Sequence, residues 1–394
     1  MRVLCLDIEG GFGGSSRSLF ELVRHMDRAD LSVEVWCKRA GPIQARYAEI
    51  GVPTRVEPNM PKVSSLPRLS RNLFAYGRFL ADWWRSRVFR RRLLEATRGR
   101  FDLVHFNHET LFVLARWLKR FAPAATCLHV RTNPHDSVFA RWQARVVARA
   151  ADRLVFITEN ERETLTRRVC WPVSGDVIYN PVSALEVSPH PLVPRDGRLR
   201  LASLSNYSYQ RGTDRLIEVA EVLAQRKRRD ALFVIAGTIA LRGTLPGELG
   251  ALARTGGTLA DLAARRGVAD MFCFLGHVPE PERVLAACDA LVKPTREANP
   301  WGRDILEAMV AGKPVISIGT YNRFVEHEVT GVLHAEYGAE ALADAILRLH
   351  DDRPLLERLG SAARDRVAVL CRPEARASDL EAVWFQAVRQ HTGR

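Results

Sequence analysis

Short β-branched and apolar runs alternate with helical patterns along this chain, and this alternation constrains the fold more than any other feature. The runs of the first half are VLCL at 3–6, VEVWC at 33–37, DLVHF at 102–106, TCLHV at 126–130 and RLVFIT at 153–158. Segments between them, such as 15–28 and 108–121, place apolar residues at intervals of three and four. This rhythm predicts parallel strands connected by helices.

The rhythm stops at 183–199, a stretch rich in Pro, and then restarts. The second set of runs is LRLASLS, LFVIAG, MFCFLG, ALVKP and PVISIG. A chain of 394 residues also exceeds the roughly 250–300 residues at which a single core usually splits. We therefore predict an α/β protein of two Rossmann-like, doubly wound domains facing across a cleft, at 1–185 and 198–370. The last segment, 371–394, is expected to be a helix that returns to the first domain.

Several cellular settings are disfavoured by the sequence. The opening MRVLCLDIEGG has too short an apolar run for a signal peptide, and no run approaches the roughly 18 apolar residues that span a bilayer. We expect a cytoplasmic protein, with any membrane contact peripheral and at the inner face of the cell membrane. The seven Cys lack metal-ligand or redox spacing, so we expect no zinc site, no disulfide and no cofactor.

Positive charge is concentrated in one part of the first domain. Of a net charge of +13, the stretch from Lys62 to Arg100 carries +9. Within it Leu73, Tyr76, Leu80 and Val88 recur at helical spacing together with two Trp residues. The candidate residues for a membrane or acceptor surface are Trp83, Trp84, Arg85, Arg90, Arg91 and Arg92. Such a helix can lie on an anionic membrane; alternatively, its apolar side packs on the sheet and its Arg side chains are solvated.

A glycine-rich loop follows the first predicted strand. Gly10, Gly11, Gly13 and Gly14 precede a helical pattern, and the N-terminus of a helix after such a loop suits a phosphate or another anion. The spacing does not match the GxGxxG dinucleotide fingerprint. A tight turn without a ligand is therefore an alternative.

The most specific motif is KPTREANPWGRDILEAMVAG at 293–312, followed by KPVISIG. It resembles the motif of family-four retaining glycosyltransferases, bacterial group 1 enzymes of the GT-B fold. Their motif has two acidic residues separated by seven intervening residues, with a Gly between them and EAMxxGKPV after. Gly302 and Glu307 match that spacing. Asn299 occupies the first acidic position, because Glu297 comes two residues too early.

The resemblance implies a nucleotide-sugar site around this motif. The helix that follows this loop should begin near Arg303, so that its free N–H groups face a diphosphate. Glu307, one turn in, can accept hydrogen bonds from both ribose hydroxyls. Asn299, Trp301 and Gly302 complete the expected donor-binding residues there. The alternative is an ordinary capped helix with a surface Glu.

A second matching segment, 201–220, places Asn206 and Arg211 where the family carries an Arg and a Lys. Arg211 retains the positive charge and can stabilise the departing diphosphate, which makes it a predicted catalytic residue. Asn206 stands where the family has an Arg, so one positive charge is missing there, and Arg303 is a candidate to supply that charge.

In the first domain, the resemblance points to His129 as a catalytic residue, because the family commonly places a His after the TCLHV strand. A structural His in a strand is the alternative. Gly13 and Gly14 are predicted to contact the donor.

Together these residues imply transfer of a sugar from a nucleotide diphosphate sugar to an acceptor hydroxyl, with retention and without a metal. The expected acceptor is a sugar or lipid-linked molecule of polysaccharide or glycolipid synthesis. An anionic membrane surface is a further candidate partner, and no nucleic acid is expected. One alternative is a noncatalytic nucleic-acid or membrane-surface binding protein on a decayed GT-B scaffold, since Asn stands at both 206 and 299. Another is a nucleotide-sugar epimerase of the same fold. The donor base, the sugar and the acceptor are not encoded in these motifs.

Overall fold

The chain divides into two compact units in a computed structural model that describes residues 1–63, 73–133 and 140–393. For 73–76 only the backbone is described, so the side chains of Leu73 and Tyr76 lie outside the described part, as does the portion of the basic stretch at 64–72. The N-terminal unit comprises Met1–Pro181 and Pro373–Arg394, and the C-terminal unit comprises Val182–Arg372.

The N-terminal unit is built on a seven-stranded parallel sheet. Its strands are β1 (Arg2–Asp7), β2 (Ser32–Cys37), β3 (Thr54–Val56), β4 (Leu103–Phe106), β5 (Ala125–Val130), β6 (Arg153–Phe156) and β7 (Asp176–Val177). The strand order is β3-β2-β1-β4-β5-β6-β7, which reverses direction between β1 and β4. Both faces of β1, β4 and β5 are buried, which explains their continuous apolar runs.

Helices cover both faces of this sheet. They are α1 (Gly14–Arg24), α2 (Pro42–Glu49), α3 (Leu73–Arg85), α4 (Arg87–Thr97), α5 (Phe112–Phe121), α6 (Ala140–Val147) and α7 (Glu159–Val169). One core contains Leu4, Trp36 and Phe106 together with side chains of α4 and α5. The core on the other face contains Val3 and Cys127 together with side chains of α1. Because successive strand residues point to opposite faces, each strand contributes to both cores.

The C-terminal unit repeats the arrangement with six parallel strands. They are β8 (Leu199–Leu204), β9 (Ala231–Ala236), β10 (Phe272–Gly276), β11 (Ala290–Lys293), β12 (Val315–Ile318) and β13 (Gly331–His334). The helices are α8 (Arg215–Gln225), α9 (Gly247–Arg254), α10 (Leu259–Arg265), α11 (Pro281–Ala287), α12 (Arg303–Val310), α13 (Ala339–Asp351) and α14 (Arg353–Leu370). The order β10-β9-β8-β11-β12-β13 reverses between β8 and β11. Ligands of open α/β sheets bind beyond the carboxyl ends of the strands at such a reversal.

The last helix, α15 (Pro373–Thr392), belongs to the N-terminal unit although it follows the C-terminal unit in sequence. It packs on α1 and β5. The indole Nε1 of Trp384 donates a hydrogen bond of 3.1 Å to Nδ1 of His105, and both residues are fully buried. This helix therefore completes one of the two cores of the N-terminal unit.

Candidate functional site

Two loops of the C-terminal unit, 205–212 after β8 and 294–302 after β11, are bound to each other at the strand reversal. The backbone N–H of Arg296 donates to the carbonyl of Gln210 at 2.8 Å, and Arg215 Nη1 donates to the carbonyl of Thr295 at 3.0 Å. Gly212 has φ +73°, and a Cβ there would lie 2.1 Å from the carbonyl oxygen of Pro294. The two loops are thus in direct backbone contact.

A buried ion pair strengthens this connection. Arg296 donates to both carboxylate oxygens of Asp214, at 2.9 and 2.5 Å, and to the carbonyl of Tyr209 at 2.6 Å. Its guanidinium also lies 3.9 Å from the centre of the Tyr209 ring. A bidentate Arg–carboxylate pair is geometrically specific, so Arg211, between these anchors, is placed by the same contacts.

The N-terminus of α12 is at the end of the second loop. Gly302 is its N-cap with φ +128° and ψ +166°, torsions that essentially only glycine adopts. A Cβ on Gly302 would lie 2.7 Å from Oδ1 of Asp304. As a glycine, the N-cap residue has no side chain to cap the helix, and the N–H groups of a first helical turn suit an anion.

Beneath Gly302 lies a buried cation, Lys293, at the end of β11. Its Nζ donates to the carbonyl of Trp301 at 2.5 Å and to Oδ1 of Asp304 at 3.2 Å. Burial lowers the pKa of the Lys293 ammonium, and the neighbouring Asp304 carboxylate opposes that shift. Asp304 Oδ2 also lies 4.0 Å from Nη1 of Arg211, whose side chain is 43% exposed. Sequence reasoning missed both Lys293 and Asp304, although each stands inside the quoted motif.

Glu307 lies one turn into α12 and is paired with Arg303. Arg303 Nε donates to Glu307 Oε1 at 2.9 Å, and the two side chains are only 10% and 14% exposed. The structure thus brings Arg211, Gly302, Arg303 and Glu307 to one end of the C-terminal sheet. Arg303, the candidate to replace the charge missing at 206, is therefore engaged with Glu307, and that replacement stays a prediction.

Asn299, at the first acidic position of the motif, is hydrogen-bonded within its own loop. Thr295 Oγ1 donates to Asn299 Oδ1 at 2.8 Å, and Asn299 Nδ2 donates to Glu297 Oε2 at 3.2 Å. Ala298 between them has φ +47°. The loop therefore contains a left-handed turn that brings the out-of-register carboxylate of Glu297 against Asn299.

Two other residues that were predicted to bind the sugar donor make contacts within the C-terminal unit. Asn206 Oδ1 accepts a hydrogen bond of 2.9 Å from the backbone N–H of Thr238 and so connects the loops after β8 and β9. Trp301 is 8% exposed, and its ring lies edge-on to that of Tyr321 with centres 5.3 Å apart. Trp301 also provides the carbonyl that holds Lys293. Both residues shape the site through the backbone they hold.

In the N-terminal unit, His129 is buried on β5. Its side chain contacts the ring of His105 with centres 5.6 Å apart, and His129 is 1% exposed. Burial, followed by the charge of Arg131, holds the pKa of His129 well below its ordinary value. The ring of His129 therefore lies inside the N-terminal unit in this structure, and the catalytic role of His129 stays a prediction.

Arg131, just beyond the end of β5, is a buried cation that the sequence prediction did not assign. Its Nη2 donates to Asn107 Oδ1 at 2.6 Å, its Nε donates to the Asn107 carbonyl at 2.7 Å, and its Nη1 donates to Asn180 Oδ1 at 3.0 Å. Its backbone N–H donates to Glu109 at 2.9 Å. Arg131 thus connects the loops that follow β4, β5 and β7.

The glycine-rich loop leads directly into α1. Gly13 is the N-cap and Gly14 is the first helical residue, and no side chain caps this end. A Cβ on Gly13 would meet nothing within 4 Å, whereas one on Gly10 would lie 2.2 Å from the carbonyl oxygen of Arg39. Gly10 is therefore required by backbone packing, while Gly13 borders open space.

The residues of α3 and α4 that were predicted to form a membrane or acceptor surface fall into two groups. Trp83 packs edge-on against Trp117, and the Arg90 guanidinium lies 4.1 Å from the centre of the Trp83 ring. Arg92 donates to Glu57 at 2.7 Å. These three residues thus make contacts within the N-terminal unit, and their assignment to a membrane or acceptor surface stays a prediction.

Trp84, Arg85 and Arg91 are exposed, as are Leu80 and Val88. The Arg87 guanidinium lies over the Trp84 ring at 4.1 Å. Within the described residues, no helix is both long and apolar enough to cross a membrane.

Two family profiles match the chain, one for each unit. The family described as "Glycosyl transferases group 1" matches residues 188–366, and that described as "Glycosyl transferase 4-like domain" matches residues 13–181. The chain is 28% identical over 318 residues to a D-inositol 3-phosphate glycosyltransferase of Thermobispora bispora, covering 74% of this chain and 72% of that protein. It is also 25% identical over 239 residues to an alpha-D-kanosaminyltransferase of Streptomyces kanamyceticus, covering 57% of this chain and 58% of that protein.

Solved structures share the fold. Anabaena HepE in complex with UDP and glucose has a TM-score of 0.74 at 19% identity, covering 98% of this chain and 100% of that chain. Sucrose-phosphate synthase from Thermosynechococcus elongatus has a TM-score of 0.70 at 18% identity, covering 98% of this chain and 99% of that chain. Both similarities concern the fold alone.

Two parallel-sheet α/β units give the chain the GT-B fold of the glycosyltransferases that it resembles. The chain belongs to the group 1 glycosyltransferases. This membership confirms the predicted family, fold class and glycosyl transfer. The comparisons lend no support to a noncatalytic binding protein or an epimerase.

Proposed function

We propose that this glycosyltransferase takes its sugar from a nucleotide diphosphate donor held in the C-terminal unit, and transfers it with retention and without a metal. The observation that carries the proposal is the convergence of Arg211, the N-terminus of α12 and Glu307 at the reversal between β8 and β11. The uncapped helix end faces the diphosphate, where N–H groups and the helix dipole favour negative charge. Glu307 accepts hydrogen bonds from the ribose hydroxyls.

Arg211 is the proposed catalytic cation. Its side chain is 43% exposed, so it can reach a bound diphosphate, and its loop is fixed by the contacts of Arg296. In the reaction the bond between the anomeric carbon and the diphosphate oxygen breaks while a bond to the acceptor oxygen forms on the same face. The acceptor's proton passes to the leaving diphosphate, whose negative charge Arg211 and the helix N–H groups stabilise. These groups supply the positive charge that a metal would otherwise provide.

Asn299 and the neighbouring Glu297 are proposed to face the transferred sugar. The amide and the carboxylate are hydrogen-bonded to each other, and together they offer both donors and acceptors to hydroxyl groups. On the N-terminal unit, Gly13 and Gly14 present the open end of α1. His129 is proposed to support Arg131, because the Nδ1 of His129 lies 3.3 Å from the Nη2 of Arg131.

The acceptor is proposed to be lipid-linked and reached at an anionic membrane surface through the N-terminal unit. Leu80 and Trp84 are each 63% exposed and Val88 is 58% exposed, with Arg87 and Arg91 nearby on α4. Apolar anchors and basic side chains on consecutive helices suit the interface of an anionic bilayer. A relative supports this class of acceptor: a GDP-mannose-dependent phosphatidylinositol monomannoside mannosyltransferase of Mycobacterium tuberculosis is 30% identical over 193 residues, 46% of each chain.

A thermal-shift panel of UDP, GDP, ADP and dTDP tests the donor proposal. At least one nucleotide should raise the melting temperature, because a ligand that binds only the folded state stabilises it. The corresponding nucleotide sugar should then be consumed in a chelator-containing buffer, and NMR of the product should show the donor's anomeric configuration. No shift with any nucleotide would refute the site, and an inverted product would refute retention.

Arg211→Met provides the matched test of the catalytic cation. Loss of one charge stabilising the leaving group should lower kcat by about 10²–10³-fold. Arg265→Met, which removes an exposed Arg at the end of α10 in the same unit, is the control and should change kcat less than about twofold. Equal effects of the two substitutions would contradict the role of Arg211.

A further inference from the structure

Asp304 is an unexpected residue at a diphosphate site. It lies in the first turn of α12, where a carboxylate interacts favourably with the helix dipole and therefore competes with any anionic ligand for the same field. Its side chain is 14% exposed. An uncompensated charge there would repel a diphosphate bound at the end of the helix.

Lys293 is placed to cancel that repulsion. Its side chain is 5% exposed, and a buried ammonium persists only where a partner compensates for its lost hydration. The partners are the carbonyl of Trp301 at 2.5 Å and Asp304 Oδ1 at 3.2 Å. The Gly302 N-cap brings these groups together, since a Cβ there would lie 3.1 Å from Nζ and 2.7 Å from Oδ1.

Arg211 approaches the same carboxylate from its exposed side. Its Nη1 lies 4.0 Å from Asp304 Oδ2, whereas Lys293 contacts Oδ1. Asp304 therefore lies between a buried ammonium and an exposed guanidinium. The three charges sum to +1 with Lys293 and to zero without it, in which case Arg211 alone would have to neutralise Asp304.

We propose that Lys293 is a positioning residue of the donor site, which neutralises Asp304 and so leaves Arg211 and the N-terminus of α12 to the diphosphate. Lys293 itself stays beneath the loop and does not touch the donor. The proposal rests on the donor site proposed above, and it assigns a task to a residue that the family motif does not specify.

The test is a cycle of Lys293→Met, Asp304→Asn and the double variant, with Lys227→Met as a control at an exposed Lys of the same unit. The probe is whichever of UDP, GDP, ADP and dTDP raises the melting temperature of the unmodified protein most. Its Kd is measured by calorimetric titration, and KM and kcat are measured with the matching nucleotide sugar. Melting temperatures confirm that each variant is folded.

Lys293→Met should raise Kd and the donor KM by about tenfold or more, since an unpaired charge near the diphosphate acts through a low local dielectric. Asp304→Asn should bind at least as well as the unmodified protein. In the Asp304→Asn background, adding Lys293→Met should change Kd by less than about threefold, and Lys227→Met should have no effect. If Lys293 had a purely structural role, Lys293→Met would lower stability, and the double variant would not regain affinity for the nucleotide.

Two results would overturn the proposal: unchanged affinity in Lys293→Met, or a double variant as weak as Lys293→Met. If Lys293→Met does not fold, comparing Asp304→Asn with the double variant still decides, because a large difference between them would mean that Lys293 acts independently of Asp304. If the unmodified protein binds none of the four nucleotides, the donor site itself is refuted, and this inference falls with it.

Discussion

Replacing Gly302 by Ala tests whether the donor loop depends on its present backbone. At φ +128° a residue with a side chain is strained by about 1–3 kcal/mol. The new Cβ would also lie 2.7 Å from Asp304 Oδ1 and 3.1 Å from Lys293 Nζ, so this ion pair must shift. Adding about 1 kcal/mol for a weakened charged hydrogen bond, we expect the free energy of unfolding of the C-terminal unit to fall by ~2–4 kcal/mol.

Gly267→Ala is the matched control. Gly267 also has positive φ, +67°, but a Cβ there would meet nothing within 4 Å, so the substitution should cost only about 1–2 kcal/mol. For a unit of this size, 1 kcal/mol lowers the melting temperature by roughly 2–4 °C. Differential scanning calorimetry should therefore separate the variants, and only Gly302→Ala should raise the donor KM, by about tenfold or more. Equal melting temperatures and equal KM values would refute the reasoning.

Three further predictions address the site, the surface and the pH dependence. Glu307→Gln should raise the donor KM by about 10–100-fold, because hydrogen bonds to charged groups contribute ~1.5–3 kcal/mol; an unchanged KM in steady-state assays would exclude Glu307 from ribose binding. Trp84→Ala should reduce sedimentation with phosphatidylserine vesicles at low salt, whereas Trp142→Ala, at a Trp that is 51% exposed on α6, should not; equal losses would count against the α3–α4 surface. Burial, and secondarily Arg131, lower the pKa of His105 to about 3. As the pH falls, the unfolded state therefore binds a proton at His105 that the folded state does not bind. The contribution of His105 to the free energy of unfolding should therefore be fully present above pH ~6.5 and fall by up to ~1.4 kcal/mol per pH unit below it, until pH 3 is approached. Because the pKa of the buried His129 is lowered as well, replacing His105 by Asn should remove only the His105 part of this pH dependence. Urea titrations in which the substitution leaves the slope unchanged would contradict the assignment.

The sequence was sufficient for the fold and for the parts of the site that depend on local spacing. Strands such as β5 and β11 are buried on both faces, so their apolar runs stand out without knowledge of their neighbours. Gly302 and Glu307 lie on one short segment, and five residues of helix determine their separation. Arg211 could be placed near them only through the family resemblance, because its position depends on contacts between two loops.

The sequence could not show which face of an element a residue occupies. His129 is within β5 and points into a core, whereas Arg131, two residues later, is beyond the strand and contacts the neighbouring loops. Helical spacing could not show that Trp83 faces Trp117 while Trp84 faces solvent. Lys293 was overlooked because a charged residue at the end of a buried strand acquires its meaning only from Asp304, eleven positions later.

The position of α15 has a consequence for biosynthesis. Trp384 fills the layer beside β4 and β5, yet it emerges from the ribosome after the entire C-terminal unit. The first unit to be synthesised is thus the last whose interior can close, and until then the surface beside His105 stays open to water or to a chaperone. A lesion within α15 should accordingly appear as a folding defect of the N-terminal unit.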